Sequence, residues 1–235
     1  MYNMNLIIFN LNSQGVLRMK KNIQAIMLLF VGAATMLSIQ GRAPQGRKKV
    51  PGRETQRDMT DRLARVARMR QERQDRSNTD LMEATRAGNI WRIGQLIEAG
   101  ADINYRAADG ATPLHVAVDI ENLPIVRLLL MSGSRVNQID TNNETPLLLA
   151  VSRNSVEIVR ALIAAGANVN KADFDGATPL HIAQNIDIVN LLIRAHADIQ
   201  ARDNHGKTPR DIAAETQRQD IIDALVITGH VNNYR

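Results

Sequence analysis

From residue 77 onward, apolar positions recur at helical spacing in pairs of short runs separated by polar stretches. Leu114 and Ala117 lie three apart and share one helical face. After a few polar residues comes a denser apolar run: Ile125, Val126, Leu128, Leu129 and Leu130. It leads to Gly133, a residue able to take the left-handed conformation that closes a helix. The Asn- and Asp-rich stretch from Asn137 to Asn143 then reads as a turn or hairpin. The pattern predicts a unit of helix, turn, helix and loop.

The unit repeats. Thr-Pro dipeptides stand at Thr112-Pro113, Thr145-Pro146, Thr178-Pro179 and Thr208-Pro209, spaced by 33, 33 and 30 residues. Around them the chain reads DGATPLHVA, NNETPLLLA, DGATPLHIA and HGKTPRDIA. Thr is a good helix N-cap, and Pro fits the first turn, where its missing N–H is no loss. Ala117, Ala150, Ala183 and Ala213 hold one place in successive units, and a small residue there lets neighbouring helices approach. Later runs IVRLLL, IVRALI, IVNLLI and IIDALV lead to Gly133, Gly166, His196 and Gly229. One such unit cannot bury its apolar face alone, whereas stacked units can.

These motifs resemble the ankyrin repeat, whose pattern includes D-G-x-T-P-L-H-x-A followed by I-V-x-L-L-L-x-x-G-A. The resemblance covers about residues 77–230. It implies an all-α solenoid of about five stacked helix–turn–helix units with projecting hairpin loops. The units fall at about 77–108, 109–141, 142–174, 175–204 and 205–235. The first has Thr79-Asp80 in place of Thr-Pro and reads as an N-terminal cap. The last has Arg210-Asp211 in place of Leu-His, which suits a C-terminal cap. The fourth is three residues short between Ala183 and Ile188, about one helical turn. A shortened first helix or a tightened turn is expected there, with His196 in a left-handed conformation.

Charge divides the chain. Residues 1–76 hold 15 Lys+Arg and 5 Asp+Glu, and residues 77–235 hold 14 and 19, so a basic leader precedes a mildly acidic body. The net charge of +5 therefore says little about the repeats. Within residues 1–41, Lys20 and Lys21 precede the apolar run Ile23–Ile39, followed by small residues. This looks like a bacterial-type signal peptide starting most naturally at Met19. The competing reading is an uncleaved anchor, although 17 residues span only about 25 Å against a hydrocarbon core of roughly 30 Å. The expected location is exported (periplasmic or secreted), or anchored in the inner membrane by residues 23–39. Residues 42–52 are a Pro/Gly/basic linker. Residues 53–76 read as a helix with the narrow stripe Met59, Leu63 and Val66, solvated and leading into the first repeat. Its basic character leaves one alternative, that residues 42–76 contact a membrane surface or nucleic acid. The absence of an aromatic residue there makes nucleic acid the weaker of the two.

Nothing in the sequence names a reaction. The chain has no cysteine, so thiolate zinc sites and a Cys nucleophile are excluded. His115 and His181 sit in the T-P-L-H slots, where the family resemblance implies a structural hydrogen bond. His196, His205 and His230 form no pair at metal-ligand spacing. There is no Walker A loop and no nucleophile elbow. No enzyme activity, cofactor, metal or small-molecule substrate is expected, and a protein partner is. In ankyrin proteins the hairpin tips and the first-helix face form a concave binding surface. By position this implies Tyr105, Arg106, Asp109, Ile139, Asn142, Phe174, Asp175, Arg202 and Asn204 at the tips, with Asp119, Ser152 and Arg153 on the helix face. Phe174 and Tyr105 are the candidate anchors, since aromatic rings with arginine nearby dominate many interfaces.

Overall fold

The computed structural model describes residues 56–232, and the side chains of residues 56–226. The leader at 1–41 and the linker at 42–52 lie outside the described residues. Ten helices and no strand are found among the described residues. They form five antiparallel pairs: α1 (Gln56–Arg86) with α2 (Ile90–Glu98), α3 (Pro113–Asp119) with α4 (Leu123–Met131), α5 (Pro146–Ser152) with α6 (Val156–Ala164), α7 (Pro179–Ile182) with α8 (Ile186–Arg194), and α9 (Pro209–Glu215) with α10 (Gln219–Asn232). Each first helix packs on its own second helix and on the first helix of the next pair, so one apolar core runs the length of the array.

Most of the helices begin where a side chain satisfies one of the free N–H groups. The Thr145 hydroxyl accepts from the Leu148 N–H at 3.2 Å, and Pro146 follows in the first turn. Asn89 and Asn122 cap α2 and α4 in the same way. Leu114, Ile125, Leu129, Leu162, Ile188 and Leu192 are fully buried, each contributing roughly 1.5–3 kcal/mol of hydrophobic stabilisation. The repeated alanines are buried as expected, Ala117 and Ala150 completely.

The loops between the pairs are turns, with no strand among the described residues. In each, two backbone bonds close the tip, as from the Asp140 N–H to the Glu144 carbonyl at 3.0 Å and from the Asn143 N–H to the Asp140 carbonyl at 3.3 Å. The Asp140 carboxylate then accepts from the Asn142 and Glu144 N–H groups, both at 2.8 Å. Asparagines tie one repeat to the next. The Asn104 carboxamide accepts from the Arg135 N–H at 2.7 Å, Asn137 from Asn168 at 2.7 Å, and Asn170 from Asp198 at 2.8 Å.

The N-terminal end departs from the simple unit. The boundary drawn between residues 76 and 77 falls inside α1, which runs unbroken from the basic segment into the first repeat. Thr79 does not start a helix: its hydroxyl donates to the Asp75 carbonyl at 2.9 Å in mid-helix. Within α1, Asn78 accepts from the Asp102 N–H at 2.8 Å, and Gln74 donates to the Gly100 carbonyl at 3.0 Å. These are the bonds that a preceding repeat would have supplied. At the other end Asp211 takes the place of the T-P-L-H histidine, accepting from the Thr208 N–H and hydroxyl at 2.9 and 2.8 Å. That bonding holds its carboxyl below the usual carboxylate range. Arg210 and Asp211 are both exposed.

The three-residue deficit shortens the first helix of its unit. Helix α7 has four residues where α3, α5 and α9 have seven. Ala183 leaves the helix in an extended conformation, and Asn185 caps α8 directly. His196 takes φ 63°, in the left-handed region where Gly100, Gly133 and Gly166 close the earlier second helices, whereas Gly229, expected to close the last, lies inside α10.

Candidate functional site

The candidate residues fall into two rows. Tyr105, Arg106 and Asp109 lie in the first loop, Ile139 and Asn142 in the second, Phe174 and Asp175 in the third, and Arg202 with Asn204 in the fourth. Asp119, Ser152 and Arg153 lie at the other ends of the first helices, a helix length of about 10 Å from the loops. Arg153 reaches back across one repeat to form an ion pair with Asp119. The two rows do not touch through these side chains.

Many of these residues have work inside the fold. The Asp109 carboxylate accepts from the Ala111 N–H at 3.0 Å, and its carbonyl accepts from the Thr141 hydroxyl at 2.8 Å. Arg202 donates to the Gly206 carbonyl at 2.6 Å, and the Ser152 hydroxyl donates to the Leu149 carbonyl at 2.8 Å. Tyr105 and Ile139 are half-buried. Phe174 differs from all of them: its ring is 68% exposed.

The neighbouring loops explain how that exposure arises. At the first loop the Thr141 N–H donates to the Asp109 carbonyl at 2.9 Å, and at the fourth the Asn204 N–H donates to the Asp175 carbonyl at 2.9 Å. Both bonds form beside a glycine, Gly110 and Gly176, with positive φ. Asn143 holds the same place in the second loop and carries a Cβ. There the contact to the next loop is made by its side chain, which donates to the Ala172 carbonyl at 3.1 Å. No equivalent backbone bond forms from the Phe174 N–H among the described residues. Phe174 therefore sits on a tip that is tied to the preceding loop at its base. Below it, burial together with Asp140 and Asp173 pushes the Glu144 carboxyl up.

The shortened α7 opens a notch that the sequence reading did not locate. The space is about 480 Å³ and is lined by Leu180, Ile182, Ala183, Pro209, Ile212, Ala213 and Ile221, with Gln184, Thr216 and Arg218 also on its wall. In the second and third repeats the residue after the repeated alanine is Val118 or Val151, both buried, where this repeat has Gln184. Trp91, 71% exposed on α2, is a second surface feature the reading did not pick out.

The two T-P-L-H histidines are bonded into the frame. The Thr112 N–H donates to His115 Nδ1 at 3.2 Å, and the Thr112 hydroxyl lies 2.9 Å from the same atom. Nδ1 therefore carries no proton, and Nε2–H donates to the Glu144 carbonyl of the next repeat at 3.2 Å. His181 repeats the arrangement with Thr178 and the Lys207 carbonyl. Burial pushes the His115 imidazole below its ordinary value of 6.5. The folded site thus binds fewer protons than the unfolded one. Its stabilisation is complete above 6.5 and is lost as pH falls from there through the folded-state value. Urea unfolding midpoints measured from about pH 8 down to about pH 5 should fall accordingly. His115→Gln, which cannot titrate, should reduce that slope, and an unchanged slope would refute the assignment.

Among the described residues there is no cluster of three or more His, Asp or Glu able to hold a metal ion. A family model described as "Ankyrin repeats (3 copies)" matches residues 57–140, 81–173, 121–203 and 168–235. No curated protein matched the chain.

Proposed function

The chain belongs to the ankyrin-repeat family, whose arrays are protein–protein interaction modules, and from that premise we propose that this array holds a protein partner against its loop tips and concave face. Phe174 carries the reading. A ring 68% exposed at a loop tip gains nothing for the fold, and burying it against a partner would supply an anchor. Tyr105 stands two loops away in the same row. Arg106 and Asn142 provide polar contacts beside it, and the Asp119–Arg153 pair marks the far edge.

The array works where the leader puts it. We read residues 23–39 as a signal or an inner-membrane anchor, so the partner is sought outside the cytoplasm or at the membrane. The N-terminal residue of the full chain, read by mass spectrometry after cell fractionation, separates the two. A new terminus in the low forties means cleavage, and an intact one in the membrane fraction means an anchor.

Binding is tested with a photo-reactive phenylalanine analogue at position 174 in source cells, compared with one at Met131 on the second-helix side, 88% exposed. The proposal expects a discrete protein adduct from position 174 and not from 131. With the partner purified, Phe174→Ala plus Tyr105→Ala should weaken binding at least about tenfold while the urea midpoint is kept. Equal adducts from both positions, or undiminished binding by the double variant, would mean that the loop row is not the site.

A further inference from the structure

The first part of α1 continues past the repeats with one face uncovered. From Gln56 to Arg73 every residue is exposed except the half-buried Val66. At 1.5 Å per residue this stretch is about 27 Å long. Met59, Leu63 and Val66 follow one another at spacings of four and three, so they form a single stripe. Met59 is 53% and Leu63 63% exposed. The stripe is the outward continuation of a face already in use. Leu81 stands five full turns after Leu63, at the same angle, and is completely buried against the repeats. Helix α1 thus has one apolar face, filled by the repeats at its C-terminal end and open at its N-terminal end.

Basic residues stand all round the open half, but the charges that fall on the stripe itself are basic alone. Arg70 and Arg73 lie seven residues beyond Leu63 and Val66, on or beside the same stripe. Neither pairs with a carboxylate among the described residues. Asp61 and Glu72 fall on the far side of the helix, roughly 160–180° from Leu63 at 100° per residue. Ala64 and Ala67 flank the other edge of the stripe, and small residues there admit a second helix at close range.

We propose that this open face docks an acidic amphipathic helix of a protein partner. The apolar stripe of that helix would lie on Met59, Leu63 and Val66, and its carboxylates would meet Arg70 and Arg73. The charges disfavour the nearer candidates. Residues 1–55 of this chain hold 8 basic residues against one acidic residue and so supply no row of carboxylates for Arg70 and Arg73. A parallel second copy of α1 would set Arg70 and Arg73 against themselves, and an antiparallel copy would set them over the apolar side chains of Met59 and Leu63, with Arg62 beside them. A lipid surface favours a broad apolar face with aromatic anchors, whereas this stripe is about one residue wide and has none. The surface is separate from the loop row, so its use does not depend on Phe174.

The test uses the full chain in mild detergent and a labelled helical peptide of about three heptads, with a leucine stripe flanked by glutamates. A matched peptide carries lysine in place of each glutamate. The proposal expects the glutamate peptide to bind more tightly than the lysine peptide. Arg70→Glu with Arg73→Glu should weaken the glutamate peptide about tenfold or more and improve the lysine peptide, a reversal that loss of fold cannot produce. Leu63→Asp should abolish binding of either. Phe174→Ala with Tyr105→Ala should leave the peptide unaffected, so failure of the loop-row reading and failure of this one are told apart. Equal affinity for both peptides, no binding at low salt, or displacement of the peptide by phosphatidylserine–phosphatidylcholine vesicles but not by phosphatidylcholine vesicles would overturn it.

Discussion

Gly110→Ala is expected to destabilise the array by about 3 kcal/mol, and Gly206→Ala, at the same place in the last loop, by about 1 kcal/mol. Both glycines have positive φ, 74° and 76°, so an added Cβ imposes the left-handed penalty on each. Their surroundings differ. A Cβ at Gly110 would lie 2.9 Å from the Thr141 backbone nitrogen and 3.1 Å from the Asp140 carbonyl carbon, neither of which can turn aside. At Gly206 it meets nothing within 4 Å. Relieving the first clash means parting two loops and losing the 2.9 Å bond from the Thr141 N–H to the Asp109 carbonyl. Urea denaturation of both variants gives the difference directly. Equal losses would mean that loop contact contributes nothing to cohesion between repeats. Asn143 shows how the second loop accommodates a side chain at this position, by exchanging the backbone bond for a carboxamide bond to Ala172.

Much of this architecture was legible because it is local. Thr-Pro marks a helix start wherever it occurs, and the fixed interval to the next apolar run and its glycine sets the unit. The deficit before Ile188 announced a shortened helix, and α7 is short by that amount. The fused α1 was harder to read. Nothing between residues 68 and 84 breaks a helix, so the division at residue 77 came from the repeat register and not from the residues themselves. Asn78 and Gln74 act as the missing repeat only through bonds to residues more than twenty positions away, which no local pattern announces.

The site was legible in part, for the same reason. Position within the repeat assigns residues to loop tips, but it does not say which of them the fold has already engaged. Asp109 and Arg202 are held by hydrogen bonds within their own loops and Ser152 by one within its own helix. Phe174 is left over because Asn143, in the preceding loop, ties the two together at Ala172 and not at the tip. The notch is a similar case. The length of the deletion was countable, but the cavity depends on where Ala183 leaves the helix and where Asn185 starts the next one.

That notch separates two substitutions that look alike in sequence. Ala150→Leu is expected to cost about 3 kcal/mol, whereas Ala183→Leu should change stability by less than about 0.5 kcal/mol or raise it. The two alanines occupy one place in successive repeats. Ala150 is completely buried in the middle of α5, between helices that approach because it is small, so extra carbons there must displace backbone. Ala183 is extended, beyond the end of α7, and faces a space of about 480 Å³ walled by Ile182, Ile212 and Ile221. A leucine there would extend into that space, trading wetted apolar surface for contact. Chemical denaturation of the pair measures both, and a large loss in Ala183→Leu would show that the notch closes in solution. The same variant then reports on binding. If partner affinity falls while stability holds or rises, the partner inserts an aliphatic side chain where the repeat lacks its own. If affinity is unchanged, recognition stays on the loop row around Phe174.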